Sequence, residues 1–506
     1  MKIYKNTLAI ILTTLFIGMP SAYSIEADGY KPANEQQIIA ENIKVKKGST
    51  LGLNDCIAIA LNNNPAIKAA RYSYGISKTN VNIARSEFFP TIGVGTGYTF
   101  TDTHTDRLHS DTNVYNLNAT LNQLLFNFGK TNAKIKMQKF YQIADEYKFY
   151  NAIRETIFLV KQRYYQVLAA RAAILINGAY VDINERNYQR TKAYFDEGLK
   201  SKIDLVNAEV LLSDSKINLI KSETTYENSL INLNNAMYLV DAPNYNIEGT
   251  ESFNIKDNVA PVDLSKFQKI DSESQANLPV EVEDAKLLSA VEKLEILTDY
   301  KVDKFPYSFD ECLKMARKNR ADIKAYNSTL DAMKENLVYV KRNYYPSVSA
   351  TAGYGFRNTN TTNSFNVGVN LSSNLNIMSQ VNQVEVAKYN VDLAANTLDK
   401  LEKDVYFAVQ NAYVTMVQLE KQIPLQGVKV RQTLENYELA EGRYYVGLGD
   451  YIELQDAKVN YNKAQHSYIE TIYNYNVARA NLESVIAMPQ KVTITLEEKK
   501  NGRKKK

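Results

Sequence analysis

The chain has 506 residues, enough for several domains, and its 60 Lys and Arg against 56 Asp and Glu leave a net charge of +4. That balance excludes the electrostatic footprint of a nucleic-acid-binding protein. Cys56 and Cys312 are the two cysteines; they stand too far apart to read as a disulfide framework or a zinc site, and read instead as small buried residues.

At the N-terminus, Lys2 and Lys5 precede an apolar run over residues 8–19 and then Ala22-Tyr23-Ser24. A run that short cannot cross a bilayer as a helix, so residues 1–24 read as a secretory signal peptide cleaved after Ser24. Residues 25–52 read as an N-terminal extension. No later stretch of about 18 residues is apolar enough for a membrane helix, so any membrane crossing must use a closed barrel.

From residue 53 the pattern is helical to about 87 and stops at Pro90, whose ring blocks helix continuation. Strict alternation follows over about 91–100, with Ile92, Val94, Thr96, Tyr98 and Phe100 on one face and Thr91, Gly93, Gly95, Gly97 and Thr99 on the other. After a polar loop it resumes over about 114–123, with Tyr115, Leu117, Ala119 and Leu121 against Asn116, Asn118, Thr120 and Asn122. A period of two over ten residues, with one apolar face, is the pattern of a membrane-barrel strand, although a soluble hairpin also produces it. A helix over about 129–195, free of proline, would be roughly 100 Å long. A glycine-bearing turn at Glu197-Gly198-Leu199 and a return helix over about 202–239 complete the unit.

The chain then contains this unit again. Cys56, Ala60, Asn63, Ile67 and Ala69 fall on Cys312, Ala316, Asn319, Ile323 and Ala325 at constant offset, and Phe89-Pro90 falls on Tyr345-Pro346. The second copy, 305–488, reads as helix 309–343, strands 347–356 and 364–373, helix 379–444 and helix 451–486. Its long helix steps by three and four through Val391, Ala394, Leu398, Leu401, Val405, Ala408, Ala412, Met416, Leu419 and Ile423, a coiled-coil seam with a doubled step of four around Ala412. Pro424 interrupts it, with Leu175 as its first-copy counterpart; a mid-helix proline costs about 3 kcal/mol and bends the rod, either as a tolerated kink or as a hinge. Between the copies, 245–304 is acidic-rich, with a short helix expected over about 282–297. Residues 489–506 form a basic tail.

Four strands cannot close a barrel, since about eight is the smallest bacterial number, and an open sheet would leave unpaired amides in lipid. The barrel must be shared: two chains would supply eight strands and three would supply twelve. Spacing alone does not choose.

Three motifs in order supply a resemblance. Residues 53–61, Leu-Asn-Asp-Cys-Ile-Ala-Ile-Ala-Leu, followed by Asn64-Pro65, are similar to the opening helix of the TolC family of outer-membrane factors. Leu125-Phe126-Asn127-Phe128-Gly129-Lys130 resembles that family's strand-to-helix joint, and Tyr444-Tyr445-Val446-Gly447-Leu448 with residues 452–457 resembles its periplasmic tip. The resemblance covers about residues 50–488. It implies a mainly α fold with membrane β: a homotrimeric 12-stranded β-barrel on a long α-helical coiled-coil tunnel, in the outer membrane of a Gram-negative bacterium with most of its mass in the periplasm. It further implies a passive exit duct for a tripartite efflux pump or type I secretion system. Its partners would be outer-membrane lipid, a periplasmic adaptor (membrane fusion protein) and an inner-membrane pump of RND or ABC type.

The same resemblance nominates site residues. Asp456 takes the constricting acidic position of the gate, with Asn207 as its first-copy counterpart; Glu453 and Asp204 match each other one turn earlier, and Tyr444 matches a tyrosine that helps hold the tip closed. The family's arginine two places after the tip glycine is here Gly449, which implies a looser latch. Gly198, Leu199, Gly447 and Leu448 resemble the adaptor-docking tip, although helix C-cap glycines explain the glycines equally well. Pro90 and Pro346 mark the helix–strand bends, and Pro424 a possible hinge.

No catalytic constellation, cofactor site or metal site emerges. Gly129-Lys130-Thr131 lacks the earlier glycine of a phosphate loop, where Leu124 stands. His104 and His109, beside Asp106 and Asp111, read as solvated residues of a strand-joining loop. The alternative to a channel is a secreted structural or adhesive coiled-coil protein, which would not need duplicated hairpins with an apolar face. A periplasmic adaptor is a further possibility, but it would carry one helical hairpin rather than two.

Overall fold

The computed structural model describes residues 45–105, 108–249, 302, 304–358, 362–373, 376–446 and 448–489. The signal peptide, most of the extension and of the inter-repeat segment (including 282–297), Gly447 and the tail from 490 lie outside the described residues. All but Pro489 of the described residues belong to one unit, Ala40–Met488; the other unit, Met1–Ile39 with Pro489–Lys506, is otherwise outside them.

The first repeat begins with β1 (Thr50–Leu51), then α1 (Leu53–Asn63) and α2 (Pro65–Ser86). The single helix expected over 53–87 is therefore two. Pro65 drives Asn64 out of the helical region, to φ −57° and ψ 118°, and the Asn64 side chain caps α2 by accepting from the Ala66 N–H at 2.8 Å. In the second repeat the expected helix 309–343 likewise divides into α5 (Phe309–Asn319) and α6 (Ala321–Lys341), followed by a 3₁₀ turn, Arg342–Tyr344. No proline causes that break. Arg320 turns the chain with φ −61° and ψ 123°, and its guanidinium donates to Asp322 and, at 2.9 Å, to the Val485 carbonyl at the end of the last helix.

The strands β2 (Thr91–Thr105), β3 (Leu108–Phe126), β5 (Ser347–Arg357) and β6 (Thr362–Ser372) form one antiparallel sheet in the order β2-β3-β5-β6. Register aligns the apolar positions across all four strands: Ile92–Leu121–Ala352–Val367 in one row and Val94–Ala119–Tyr354–Phe365 in the next. The opposite face carries Gly93–Thr120–Gly353–Asn366. Among the described residues no element packs over the apolar face, where Val94 is 75% exposed and Leu371 72%. Beta-strands β2 and β3 run past the expected ends at 100 and 114. His104 pairs with His109 within the ladder, so these histidines are not in a loop. Polar residues on both faces there hide the alternation, while backbone pairing continues regardless.

The bend out of β3 uses positive φ at Phe128 (52°) and Gly129 (76°), and a side chain at 129 would run into the Arg342 guanidinium, which donates to the Gly129 carbonyl. There begins α3 (Lys130–Asp196, 67 residues), which turns into α4 (Lys202–Met237). In the second repeat Asn376 caps α7 (Ile377–Tyr445, 69 residues) by accepting from the Ser379 N–H at 3.1 Å, and α8 (Tyr451–Val485) returns. The seam of α7 buries Val405, Val409, Ala412, Met416, Ile423, Val430 and Tyr437. Val409 rather than Ala408 is buried, so the seam steps by four from Val405 to Val409 and by three from Val409 to Ala412, and the doubled step of four expected around Ala412 is not seen there. The helix is continuous through Pro424.

Helix α3 packs against α1, α2 and α4 of its own repeat and also against α6 and α8 of the other, whereas α7 packs mainly against α5, α6 and α8. Contact on several faces explains why α3, contrary to expectation, contains a window apolar and long enough to cross a membrane. At mid-height, β1 pairs in parallel with β4 (Asn246–Ile247), and Tyr164 and Arg171 of α3 donate to the Glu248 and Ile247 carbonyls at 2.6 and 2.7 Å. Cys56 and Cys312 are free and wholly buried.

The C-terminus of α8 is closed by two arginines: Arg320 on the Val485 carbonyl and Arg154 on that of Ser484, 3.2 Å away. Burial alone would raise the pKa of Asp322, but hydrogen bonds from Arg320 and the charges of Arg320 and Arg154 hold it below the ordinary carboxylate value. Its stabilisation is thus present above about pH 4 and is lost as pH falls below that. Arg320→Ala removes the main partner of the largely buried Asp322 and the donor to the Val485 carbonyl, leaving Arg154 and the Ile323 N–H, and should cost about 1–3 kcal/mol. Thermal unfolding at pH 7 checks this, and the deficit should shrink with Asp322→Asn in the same chain.

Candidate functional site at the helical turns

The two coiled-coil pairs each end in a tight turn, and the polar residues nominated for the gate gather there. In the first, α3 closes with Gly198 at φ +75°, and the Gly198 and Leu199 N–H groups donate back to Phe195 and Tyr194 carbonyls at 2.9 and 2.8 Å. Gly198 is thus a helix-capping glycine on its own geometry. The next helix starts from a capping box, in which Ser201 N–H donates to Asp204 Oδ2 at 3.1 Å and Asp204 N–H to Ser201 Oγ at 3.2 Å. In the second turn, the Leu448 and Gly449 N–H groups return to the Arg443 carbonyl at 2.9 and 3.0 Å, and Asp450 caps α8 by accepting from the Glu453 N–H at 2.8 Å. Leu199 and Leu448 stand 71% and 76% exposed at the two apices.

The nominated carboxylates are not equivalent. Asp204 is held in its capping box, and Glu453 lies 3.6 Å from Arg443 in its own hairpin. Asp456 and Asn207 are exposed one turn further along their helices. Tyr444 is half-buried, with the Lys200 ammonium 4.5 Å from its ring centroid on one side and the Tyr451 ring 6.1 Å away on the other. Pro90 and Pro346 immediately precede β2 and β5, and Pro424 lies inside α7, away from the turns. A side chain at Gly449 would be tight, since its Cβ would lie 3.0 Å from the Tyr444 backbone nitrogen.

Lys200, Arg443, Asp450 and Tyr451 were not nominated from sequence. Asp450 alone had a local signal, an acidic residue three before Glu453 at a helix start; the others become part of the site only where the turns approach. Above the turns, α3 presents Asn177, Asn184 and Thr191 at heptad spacing together with Asn187, all buried, and His466 of α8 meets Asn177 at 3.0 Å. Lys458 joins this polar seam, 3% exposed and 6.0 Å above the Tyr437 ring.

Burial lowers the Lys458 pKa to about 8; Glu441 opposes the shift, while Arg190 and Arg186 reinforce it. The folded state therefore binds fewer protons than the unfolded between about pH 8 and 10.5, so the lysine's burden on stability is full below pH 8 and fades as pH rises. Lys458→Met should raise stability at pH 7 by about 1–3 kcal/mol and flatten the rise between pH 8 and 10. Denaturant unfolding across that range measures both.

Comparison with known proteins agrees with this architecture. The family model described as "Outer membrane efflux protein" matches residues 56–237 and 312–487. Outer membrane protein TolC of Escherichia coli (strain K12) is 22% identical over 443 residues, covering 84% of this chain and 80% of its own. The CmeC outer membrane channel of Campylobacter jejuni superposes with a TM-score of 0.68 at 16% identity, over 90% of this chain and 92% of its own. The open state of the MtrE outer membrane channel of Neisseria gonorrhoeae superposes with a TM-score of 0.65 at 16% identity, over 90% and 97%. With the family model covering most of both repeats, the chain belongs to the outer membrane efflux protein family and is a channel protein of that class.

Proposed function

We propose that three copies of this chain close into a passive exit duct, a twelve-stranded barrel in the outer membrane continued by a helical tunnel in the periplasm. The observation that carries this reading is the four-stranded sheet. Among the described residues nothing covers its apolar face, and its outer strands β2 and β6 each have one partner. In hydrocarbon each unpaired amide costs several kcal/mol, so the two edges must meet edges of other copies.

The helices support the same closure. Helix α3 receives α6 and α8 from the second repeat, whereas among the described elements α7 packs chiefly against α5, α6 and α8 of its own repeat. Its remaining side exposes Leu393, Phe407, Val414 and Leu439. The elements equivalent to α6 and α8 are α2 and α4; α2 exposes Tyr72, Ile76 and Ile83 at steps of four and seven, and α4 exposes Ile203, Val210, Ile217 and Ile231 at heptad spacing. A neighbouring copy placing α2 and α4 against α7 would repeat the internal packing as a heterologous, ring-closing contact. Cross-linking of the purified protein should end at three copies, and planar bilayers should show discrete conductance steps. A water-soluble monomer without channel activity would overturn the proposal.

At the periplasmic tip the three Asp456 carboxylates, with Glu453, Asp204 and Asn207 nearby, form the gate and favour cations. The exposed Leu199 and Leu448, with Gly198 and Gly447, dock a periplasmic adaptor that couples the duct to an RND or ABC pump. Residues 1–24 direct export. Asp456→Asn should lower the cation-over-anion permeability ratio several-fold with little change in assembly, read as a reversal-potential shift under a salt gradient. If Pro424 is a hinge for the second helix pair, Pro424→Leu should reduce the frequency of opening; equal gating in both proteins would make it a passive bend.

A further inference from the structure

Where α3 of the first repeat meets α8 of the second, polar residues take core positions. Asn177, Asn184 and Thr191 of α3 stand at heptad spacing, and so do Tyr451, Lys458 and Gln465 of α8. Asn184 is 1% exposed, Lys458 3% and Gln465 6%. The His466 ring meets the Asn177 carboxamide at 3.0 Å, and Tyr451 lies near Asn187, so the two helices run antiparallel. That register brings Asn184 level with Lys458 and Thr191 level with Tyr451. Three polar layers therefore follow one another, about 10 Å apart.

The polarity belongs to this seam and not to the whole stretch. At the same level α7 meets α8 through the stacked rings of Tyr437 and Tyr461, 6.1 Å apart, with Val430 and Ala440 also buried. Across the α3–α8 seam the Asn184 carboxamide finds no hydrogen-bond partner among the described residues; its polar neighbour, the Tyr180 hydroxyl, is on its own helix. The amide nitrogens of Asn462 and Gln465 are buried without a partner among those residues as well. A buried polar group left unpaired costs about 1–3 kcal/mol, so these layers do not serve stability. What polar groups at coiled-coil core positions supply in return is a fixed register and a fixed partner.

Duplication creates the need for such a choice. With Gly198 laid on Gly447, the counterparts of Tyr451, Lys458 and Gln465 are Lys202, Glu209 and Lys216 of α4. Helix α4 of a second copy is thus a ready competitor for the place of α8 on α3. In the same register it would set Glu209 against Asn184 and bring Lys202 beside Arg190. We propose that the polar ladder is a pairing code: Asn184 with Lys458, flanked by Asn177 with His466 and by Thr191 with Tyr451, selects α8 of the same chain as the partner of α3, in one register, over α4 of another copy. It thereby fixes the alternating order of first-repeat and second-repeat hairpins around the ring. The inference rests on the proposed closure of three copies side by side.

The test is a swap across the seam in the full-length protein, read as the fraction of purified chain that chemical cross-linking finds in the three-copy species. Asn184→Lys sets two ammonium groups in one layer and should lower that fraction about 5- to 10-fold. Asn184→Lys combined with Lys458→Asn returns one of each to the layer and should restore it, a rescue that a merely structural position would not give. The apolar pair Asn184→Leu with Lys458→Leu should unfold at the parent's temperature or above it, yet raise the fraction outside the three-copy species about 5- to 10-fold. In mixtures of isotope-labelled and unlabelled copies, its cross-linked peptides should join α3 of one copy to α4 of another, which those of the parent should not. If Asn184→Lys alone assembles like the parent, if the swap leaves the defect in place, or if the apolar pair assembles as uniformly as the parent, the code is wrong and the ring reading stands. If the parent itself gives no three-copy species, the ring reading fails and the code with it.

Discussion

The two unpaired edges of the sheet dominate this molecule. Within a subunit the register from β2 to β6 satisfies the backbone of the inner strands and aligns one apolar face. The outward rows of amide and carbonyl groups on β2 and β6 are left to other subunits. Water could solvate those rows, but hydrocarbon cannot, and a face with Val94 and Leu371 largely bare is suited to lipid rather than water. Assembly therefore follows from the covalent length of the chain: each subunit brings fewer strands than a barrel needs.

Duplication eases the geometric problem this creates. Two similar units already pack against each other inside one chain, through α3 with α6 and α8. A contact that can be made between repeats can be made again between subunits with little new invention, since the same faces recur. The apolar stripes left on α2, α4 and α7 fit that account, although the repeats are no longer alike in detail. Asn64 caps a helix in the first, where Arg320 clamps the end of α8 in the second. Gly129 turns the chain after β3, where Asn376 caps the long helix after β6.

At the turns the individual energies are small. Capping boxes, a partly exposed ion pair and a cation over a ring each contribute about 0.5–1.5 kcal/mol. The acidic residues there also serve the helix starts, as Asp204 does for α4. Above the turns, Asn184 of α3 and Lys458 of α8 are buried polar groups.

Much of this was legible in the residues because it depends on local period. Alternation at 91–100 and 364–373, the proline stops at Pro90 and Pro346, and the three–four stepping of the long helices are properties of neighbours in sequence, and the duplicated order made each pattern visible twice. What only the tertiary structure decided depends on groups distant in the chain. The break at Arg320 has no local breaker and exists because its guanidinium reaches Asp322 and the end of α8. The strands run on to His104 and His109 because backbone pairing does not need alternation. Val409 replaced Ala408 in the seam because the opposing helix sets which side chain fills the groove. Lys200 joined Tyr444 because two turns, remote in sequence, end at the same place. Sequence alone determined the repeating units and their one-sided strands, since steric and solvation preferences act residue by residue; the tertiary structure decided which side chains meet, since that requires the units to be placed against one another.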